Sequence, residues 1–174
     1  MRDAVISFTP LETVPATNTP ETNRVISQKA LQFQPFVTLA PVGSTIAFKN
    51  EDTVLHHVFS FSKAKRFDLK LFGRDEPQAV TFENPGIVTV GCNIHDGMIS
   101  HIFIADAPFA AQTDASGLVT LEGLPSGVGE LMIWHPLLKQ RGNRMVETLT
   151  LDAEMQTYEL SGKFRKGMKR STDY

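Results

Sequence analysis

Gly86-Ile-Val-Thr-Val-Gly-Cys92-Asn-Ile-His95-Asp-Gly97-Met98-Ile-Ser-His101-Ile-Phe-Ile-Ala105 is the stretch from which the fold and the chemistry of this chain are read. Two apolar runs, Gly86–Gly91 and Ile99–Ala105, flank a short polar loop, which is the pattern of strand, connection, strand. Asn84-Pro85-Gly86 is a turn signal that opens the first run. Val88, Val90 and Cys92 alternate onto one face, so the thiol is expected to point where the valines point, into an interior. Gly97 suits a tight turn just before Met98, which starts the next strand. Ile102 and Ile104 then face the core, with His101 and Phe103 on the outer face.

Strand signals continue on either side. Ala4–Phe8, Ala30–Leu39, Gly43–Lys49, Val54–Phe61 and Gln78–Phe82 are short runs rich in β-branched and aromatic residues, with turn formers between them. Pro35 marks an edge or a kink. Residues 9–23 are rich in Pro, Thr and Asn and read as a long loop. Residues 62–77 are the least strand-like and hold either a short helix or an irregular excursion. So many short strands in about a hundred residues predict an all-β sandwich. Asp106-Ala107-Pro108 reads as a boundary. Beyond it, strands are expected at Leu118–Leu121, Glu130–His135, Thr148–Leu151 and Gln156–Leu160. That gives three parts: a first β-sandwich domain over 1–106, a small β-sandwich over 107–162 packed on it, and a basic tail over 163–174.

Composition narrows the function classes. The 174 residues carry 17 Lys and Arg against 19 Asp and Glu, a formal net charge of −2, with 41% hydrophobic residues. This is ordinary for a globular protein long enough to bury a core. The charge is uneven. Residues 1–162 hold 12 basic against 18 acidic residues, whereas the last 12 hold five basic and one acidic. No basic stripe of the kind a nucleic-acid protein presents lies in the body, and the tail reads as a solvated end or a docking segment. No apolar run approaches the ~18 residues of a transmembrane segment. Met1-Arg2-Asp3 leads straight into strand-like sequence, so no signal peptide is read. The single cysteine excludes an intrachain disulfide and a Cys-rich zinc site. Cys92 is thus a buried small hydrophobe or a lone thiolate.

Company decides between these. Cys92, His95 and Met98 follow the spacing C-x2-H-x2-M, and the pair His56-His57 lies 36 residues upstream of Cys92 on a strand signal. A thiolate, a thioether and imidazoles together suit copper, with Cys-His-His in a trigonal plane and a long axial Met bond. Zinc would take further cysteines or a carboxylate and would not select Met. Strand alternation sets His56 with Val58 and His57 with Phe59, so one of the two faces the site, and His56 is the expected one.

These motifs resemble the cupredoxins, the type 1 blue-copper family of plastocyanin, pseudoazurin and amicyanin. The ligand loop is similar to its shortest form, that of amicyanin. Asn50-Glu51-Asp52 followed by His56-His57-Val58 is similar to the upstream element. The HHV, FSFS and AKRF segments and the GCNIHD loop resemble bacterial periplasmic plastocyanin-like proteins of the methylamine-utilisation type. The resemblance implies one type 1 copper held by His56, Cys92, His95 and Met98, with His57 in place of the usual Asn that ties the ligand segments. Its ring N–H is expected to do that work, or to serve as an alternative ligand, with Asn50 as a further supporting residue. The TDASG, LEGLPSG and MIWHP segments resemble carboxypeptidase-regulatory or prealbumin-like modules.

The implied function is that of a periplasmic carrier passing single electrons between redox partner proteins through Cu(I) and Cu(II), with His95 as the exit. The alternative is a copper chaperone, reservoir or assembly module of the same fold. Enzyme activity is not expected, since a type 1 site lacks an open coordination position. His135 reads as a structural or interdomain residue and not as a ligand. Lys63, Lys65, Arg66, Lys70 and Arg74 read as a solvated face or as a docking patch for an acidic partner.

Overall fold

Alternation of apolar and polar residues, with a turn former every few positions, leaves this sequence one way to bury its hydrophobic side chains, which is to stack sheets. The computed structural model describes residues 1–12, 24–152 and 156–166, and among them the regular structure is strand apart from one short 3-10 turn. The protein is all-β. Its chain divides into two compact units, one made of the described residues from 24 to 106, the other of the first twelve residues with those from 107 onward.

The unit over 24–106 has nine strands: β2 (Arg24–Lys29), β3 (Gln32–Gln34), β4 (Val37–Pro41), β5 (Thr45–Asn50), β6 (His56–Phe61), β7 (Arg66–Phe72), β8 (Gln78–Thr81), β9 (Gly86–Cys92) and β10 (Ile99–Ala105). They form a five-stranded sheet in the order β4-β10-β9-β6-β7 and a four-stranded sheet in the order β3-β2-β5-β8. Ile26, Ile46, Phe48 and Val80 from one sheet and Val58, Val88, Val90, Ile102 and Ile104 from the other share a single core. Each fully buried side chain of this size contributes about 1.5–3 kcal/mol. The 62–77 region is not helical or irregular throughout. It contains β7, paired antiparallel to β6; Phe67 and Leu69 alternate toward the interior, and Phe72 reaches the core after the left-handed Lys70, at φ 58°, breaks the period. Pro35 separates β3 from β4.

The other unit corrects the expected domain plan. The first strand, β1 (Val5–Pro10), does not belong with residues 24–106. It pairs antiparallel with β11 (Phe109–Gln112) on one side and with β12 (Gly127–Trp134) on the other, and β13 (Arg144–Leu151) completes the sheet β11-β1-β12-β13. Thr9 and Pro10 extend β1, while residues 13–23 of the expected loop lie outside the described residues. In place of a second sandwich, the described residues show one sheet. Its face of Ala4, Ile6, Phe8, Leu131 and Ile133 is covered by Val119, Leu121, Leu124 and Leu160. Residues 118–121 and 156–160, expected as strands, are irregular. They keep the apolar spacing of strands but lack a neighbour to complete a ladder. The start of the expected basic tail is also not free. Lys139 N–H donates to Lys163 O at 2.7 Å, Arg165 N–H donates to Leu137 O at 2.7 Å, and Leu138 bridges Phe164. Residues 167–174 of that tail lie outside the described residues.

Candidate metal centre

Three side chains converge at one end of the 24–106 sandwich. β9 delivers Cys92 at its last residue and β6 delivers His56 at its first. The two strands are neighbours, with Val58 opposite Cys92 and Phe59 opposite Gly91, so both chain ends open at the same edge. Alternation along β6 buries His56, Val58 and Ser60 and turns His57, Phe59 and Phe61 outward. His95 comes from the loop between β9 and β10. That loop is tightened by Cys92 N–H donating to Met98 O at 3.2 Å and by Met98 N–H donating to His95 O at 3.5 Å. Gly97 takes φ +80°, the left-handed value that the third position of a type II turn requires.

The donors form a nearly regular triangle. His56 Nδ1 lies 3.1 Å from His95 Nδ1, and Cys92 Sγ lies 3.8 Å from His56 Nδ1 and 3.6 Å from His95 Nδ1. A point equidistant from the three lies about 2.0 Å from each, the length of a metal–imidazole bond and slightly short of a metal–thiolate bond. The residues therefore fit one metal ion, and they are the group of ligating side chains that come together among the described residues. Met98 is 2% exposed and belongs to the same core as Cys92. Both, with His95, line an open groove of about 440 Å³ bounded on the outer face by Phe59 and Phe61.

The supporting groups differ from those expected. His57 does not tie the ligand segments together. Its Nε2 pairs with Asp68 Oδ1 at 2.6 Å on the outer face, because strand alternation sends its ring away from Cys92. The tie is made by the backbone, with Asn93 N–H donating to His57 O at 3.0 Å. Lys70, through its ammonium and its own N–H, and then His57 hold the Asp68 carboxyl well below the usual carboxylate range. Asn50, 2% exposed, touches none of the three donors. Its Nδ2 donates to Val54 O at 2.8 Å and Phe72 O at 3.1 Å, and its Oδ1 accepts from Asp52 N–H at 2.9 Å, which shapes the loop before His56.

The residue that sequence reasoning passed over is Asp52. Its Oδ2 lies 2.9 Å from His56 Nε2, on the ring nitrogen remote from the donor triangle. Partial burial pushes its carboxyl up, but hydrogen bonds from Leu31 N–H, His56 and Ala30 N–H outweigh this and leave it below the usual range. Its position four residues before His56 was the available signal, though a turn former in Asn-Glu-Asp reads first as a turn. His101 is on the outer face as expected, 3.2 Å from Thr89 Oγ1 and edge-on to Phe36. In the basic segment, Lys65 pairs with Glu83, Lys70 with Asp68, and Arg74 donates to Glu51 O.

Comparison with solved structures returns cupredoxins and a copper enzyme. The chain is similar to these folds. A purple cupredoxin from Nitrosopumilus maritimus matches at 20% identity and a TM-score of 0.43, over 48% of this chain and 100% of its own. Amicyanin from Paracoccus versutus matches at 19% identity and a TM-score of 0.45, over 57% of this chain and 97% of its own. A copper-containing nitrite reductase from Thermus scotoductus SA-01 matches at 24% identity and a TM-score of 0.47, over 55% of this chain. The match spans only 25% of that enzyme's length. No family model and no curated protein matches the chain.

Proposed function

We propose that this protein is a mononuclear type 1 copper protein that carries single electrons, and that His56, Cys92, His95 and Met98 are the residues that would hold the ion. The observation that carries the reading is the triangle of two Nδ1 atoms and one Sγ, with sides of 3.1, 3.6 and 3.8 Å. One thiolate with two imidazoles, beside a buried thioether, is a donor set that copper favours over zinc. When bound, copper supplies one-electron exchange between Cu(I) and Cu(II).

The chain's own residues account for the rest. Strands β6 and β9 fix His56 and Cys92 on a rigid sheet, so the ligand positions need not move when the charge changes. His56 is fully buried and Met98 is 2% exposed, which keeps water from that side. His95 is half-buried on a loop, beside Ile94 at 49% exposure, and is the route to the surface. Exposed Val54 and Leu55 add apolar surface on the loop that leads to His56, which suits a transient contact with a redox partner protein. No described helix is long and apolar enough to cross a membrane. A periplasmic setting is supported by the sequence resemblance alone.

The test is the optical and EPR spectrum of the copper(II)-loaded protein, with voltammetry on the same sample. Strong thiolate-to-copper charge-transfer absorption is expected, lost in Cys92→Ser and kept in His57→Ala, with reversible one-electron cycling. Loaded wild-type protein without that absorption, or a Cys92→Ser variant that retains it, overturns the site assignment. Copper that is handed to an acceptor without reversible cycling replaces the carrier role with delivery or storage.

A further inference from the structure

We propose that Asp52 is the positioning residue of the metal centre, and that the turn between β2 and β3 is the platform that holds it. An imidazole can offer Nδ1 to a metal only if its proton sits on Nε2. Asp52 Oδ2, an acceptor, lies 2.9 Å from His56 Nε2 and so selects that tautomer, leaving the lone pair of Nδ1 aimed into the donor triangle. The pair is shielded, with the His56 side chain 0% and that of Asp52 14% exposed.

The carboxylate is itself held from the opposite side. Ala30 N–H donates to Oδ1 at 2.7 Å and Leu31 N–H to Oδ2 at 3.0 Å. These two residues form the whole connection between the paired Lys29 and Gln32. Both are left-handed, with φ of 53° and 57°. A two-residue hairpin turn of this kind normally carries Asn-Gly or similar pairs, because an ordinary side chain there carries a steric cost. Leu31 is 48% exposed, so burial of its side chain does not offset that cost. What the conformation secures is two adjacent N–H groups converging on one carboxylate. Turn, Asp52 and His56 thus form a single relay from an ordinary hairpin to the metal ligand.

The electronic consequence rests on the copper reading above, whereas the positioning does not. An anionic acceptor on Nε2 makes His56 a stronger donor and favours the more highly charged ion. Loss of such a partner typically costs 10–100-fold in metal affinity. A tenfold loss confined to Cu(II) is an upward shift of about 59 mV for a one-electron couple.

The experiment has two arms. Nitrogen-15 NMR of the metal-free full chain reads the His56 tautomer, expected as Nε2–H in the wild type and mixed or reversed in Asp52→Ala. Voltammetry of the copper-loaded protein reads the potential, expected to rise in Asp52→Asn and Asp52→Ala. The double variant Ala30→Gly with Leu31→Gly keeps both N–H donors and removes the strain. It is expected to be more stable than the wild type, with tautomer and potential unchanged. If Asp52→Ala does not fold, the near-isosteric Asp52→Leu, which also lacks an acceptor, decides the tautomer arm, and Asp52→Asn decides the potential arm. An unchanged His56 tautomer in folded Asp52→Ala or Asp52→Leu overturns the positioning role. An unchanged potential, in a protein whose wild type shows the thiolate absorption, overturns the electronic consequence. A wild type without that absorption overturns the copper reading and leaves the tautomer arm to decide the role of Asp52.

Discussion

Replacing Gly97 by alanine isolates one structural term at the metal centre. Gly97 is the third residue of the His95–Met98 turn, with φ +80°. A Cβ built there meets nothing within 4 Å, so no steric clash contributes and the whole effect is the backbone conformation. An L-residue in the left-handed region costs about 1–2 kcal/mol. With a urea m-value of about 1–3 kcal/mol/M, the unfolding midpoint of the metal-free protein should fall by roughly 0.3–2 M with m unchanged. The assay is a urea titration followed on the amide signals of β9 and β10, which report the unit that holds the centre. A d-alanine at the same position, introduced by semisynthesis, prefers positive φ and should match or exceed the wild type. If L-alanine is as stable as glycine, or d-alanine is as damaging as L-alanine, the turn does not hold the conformation described and the reasoning is wrong.

Two further outcomes follow from other parts of the chain. Gly129 in β12 lies under the Phe8 ring, where a Cβ would approach Cε2 and Cε1 to 2.7 and 2.8 Å. Gly129→Ala should therefore destabilise the β11-β1-β12-β13 sheet by about 1–3 kcal/mol, read as lost amide-exchange protection in β1 with the metal centre unchanged. Asp114 accepts from the Ser116 hydroxyl at 2.6 Å and, with the N–H groups of Leu118, Ser116 and Gly117, this outweighs desolvation and lowers its pKa. Its stabilisation is present above the ordinary aspartate range and is lost as pH falls through the lower folded value. A carbon-13 NMR titration should show that low midpoint, and Ser116→Ala should raise it. An Asp114 midpoint at the ordinary value in the wild type would remove this contribution.

Much of the centre was legible because its information is local. Cys92, His95 and Met98 lie within seven residues, and the period of two along β6 told in advance that only one of His56 and His57 faces inward, with His56 the expected one. The alternation of Val88, Val90, Ile102 and Ile104 likewise marked the core face in advance. The support of the centre was less legible. His57 was expected to tie the ligand segments, yet its ring finds Asp68 on the adjacent strand β7, which the sequence did not reveal as a strand. Asp52 stood in the upstream element but was given no role, because that role is defined by Ala30 and Leu31, more than twenty residues away in the chain.

The sequence by itself determined the all-β class, the strands that carry ligands, and the thiolate, imidazole and thioether set. These depend on side-chain periodicity and on spacings of a few residues, which hold wherever the strand is placed. Only the tertiary structure decided strand partners. Ala4–Phe8 reads as a strand from its own residues, but the place of β1 between β11 and β12 depends on segments more than a hundred residues away. Apolar alternation at Val119 and Leu121 proved equally compatible with covering a sheet as with joining one. Backbone hydrogen bonds between strands are chemically alike for every pair of segments. Which pairs form is settled by what the whole chain can bury at once, and a linear reading does not contain that sum.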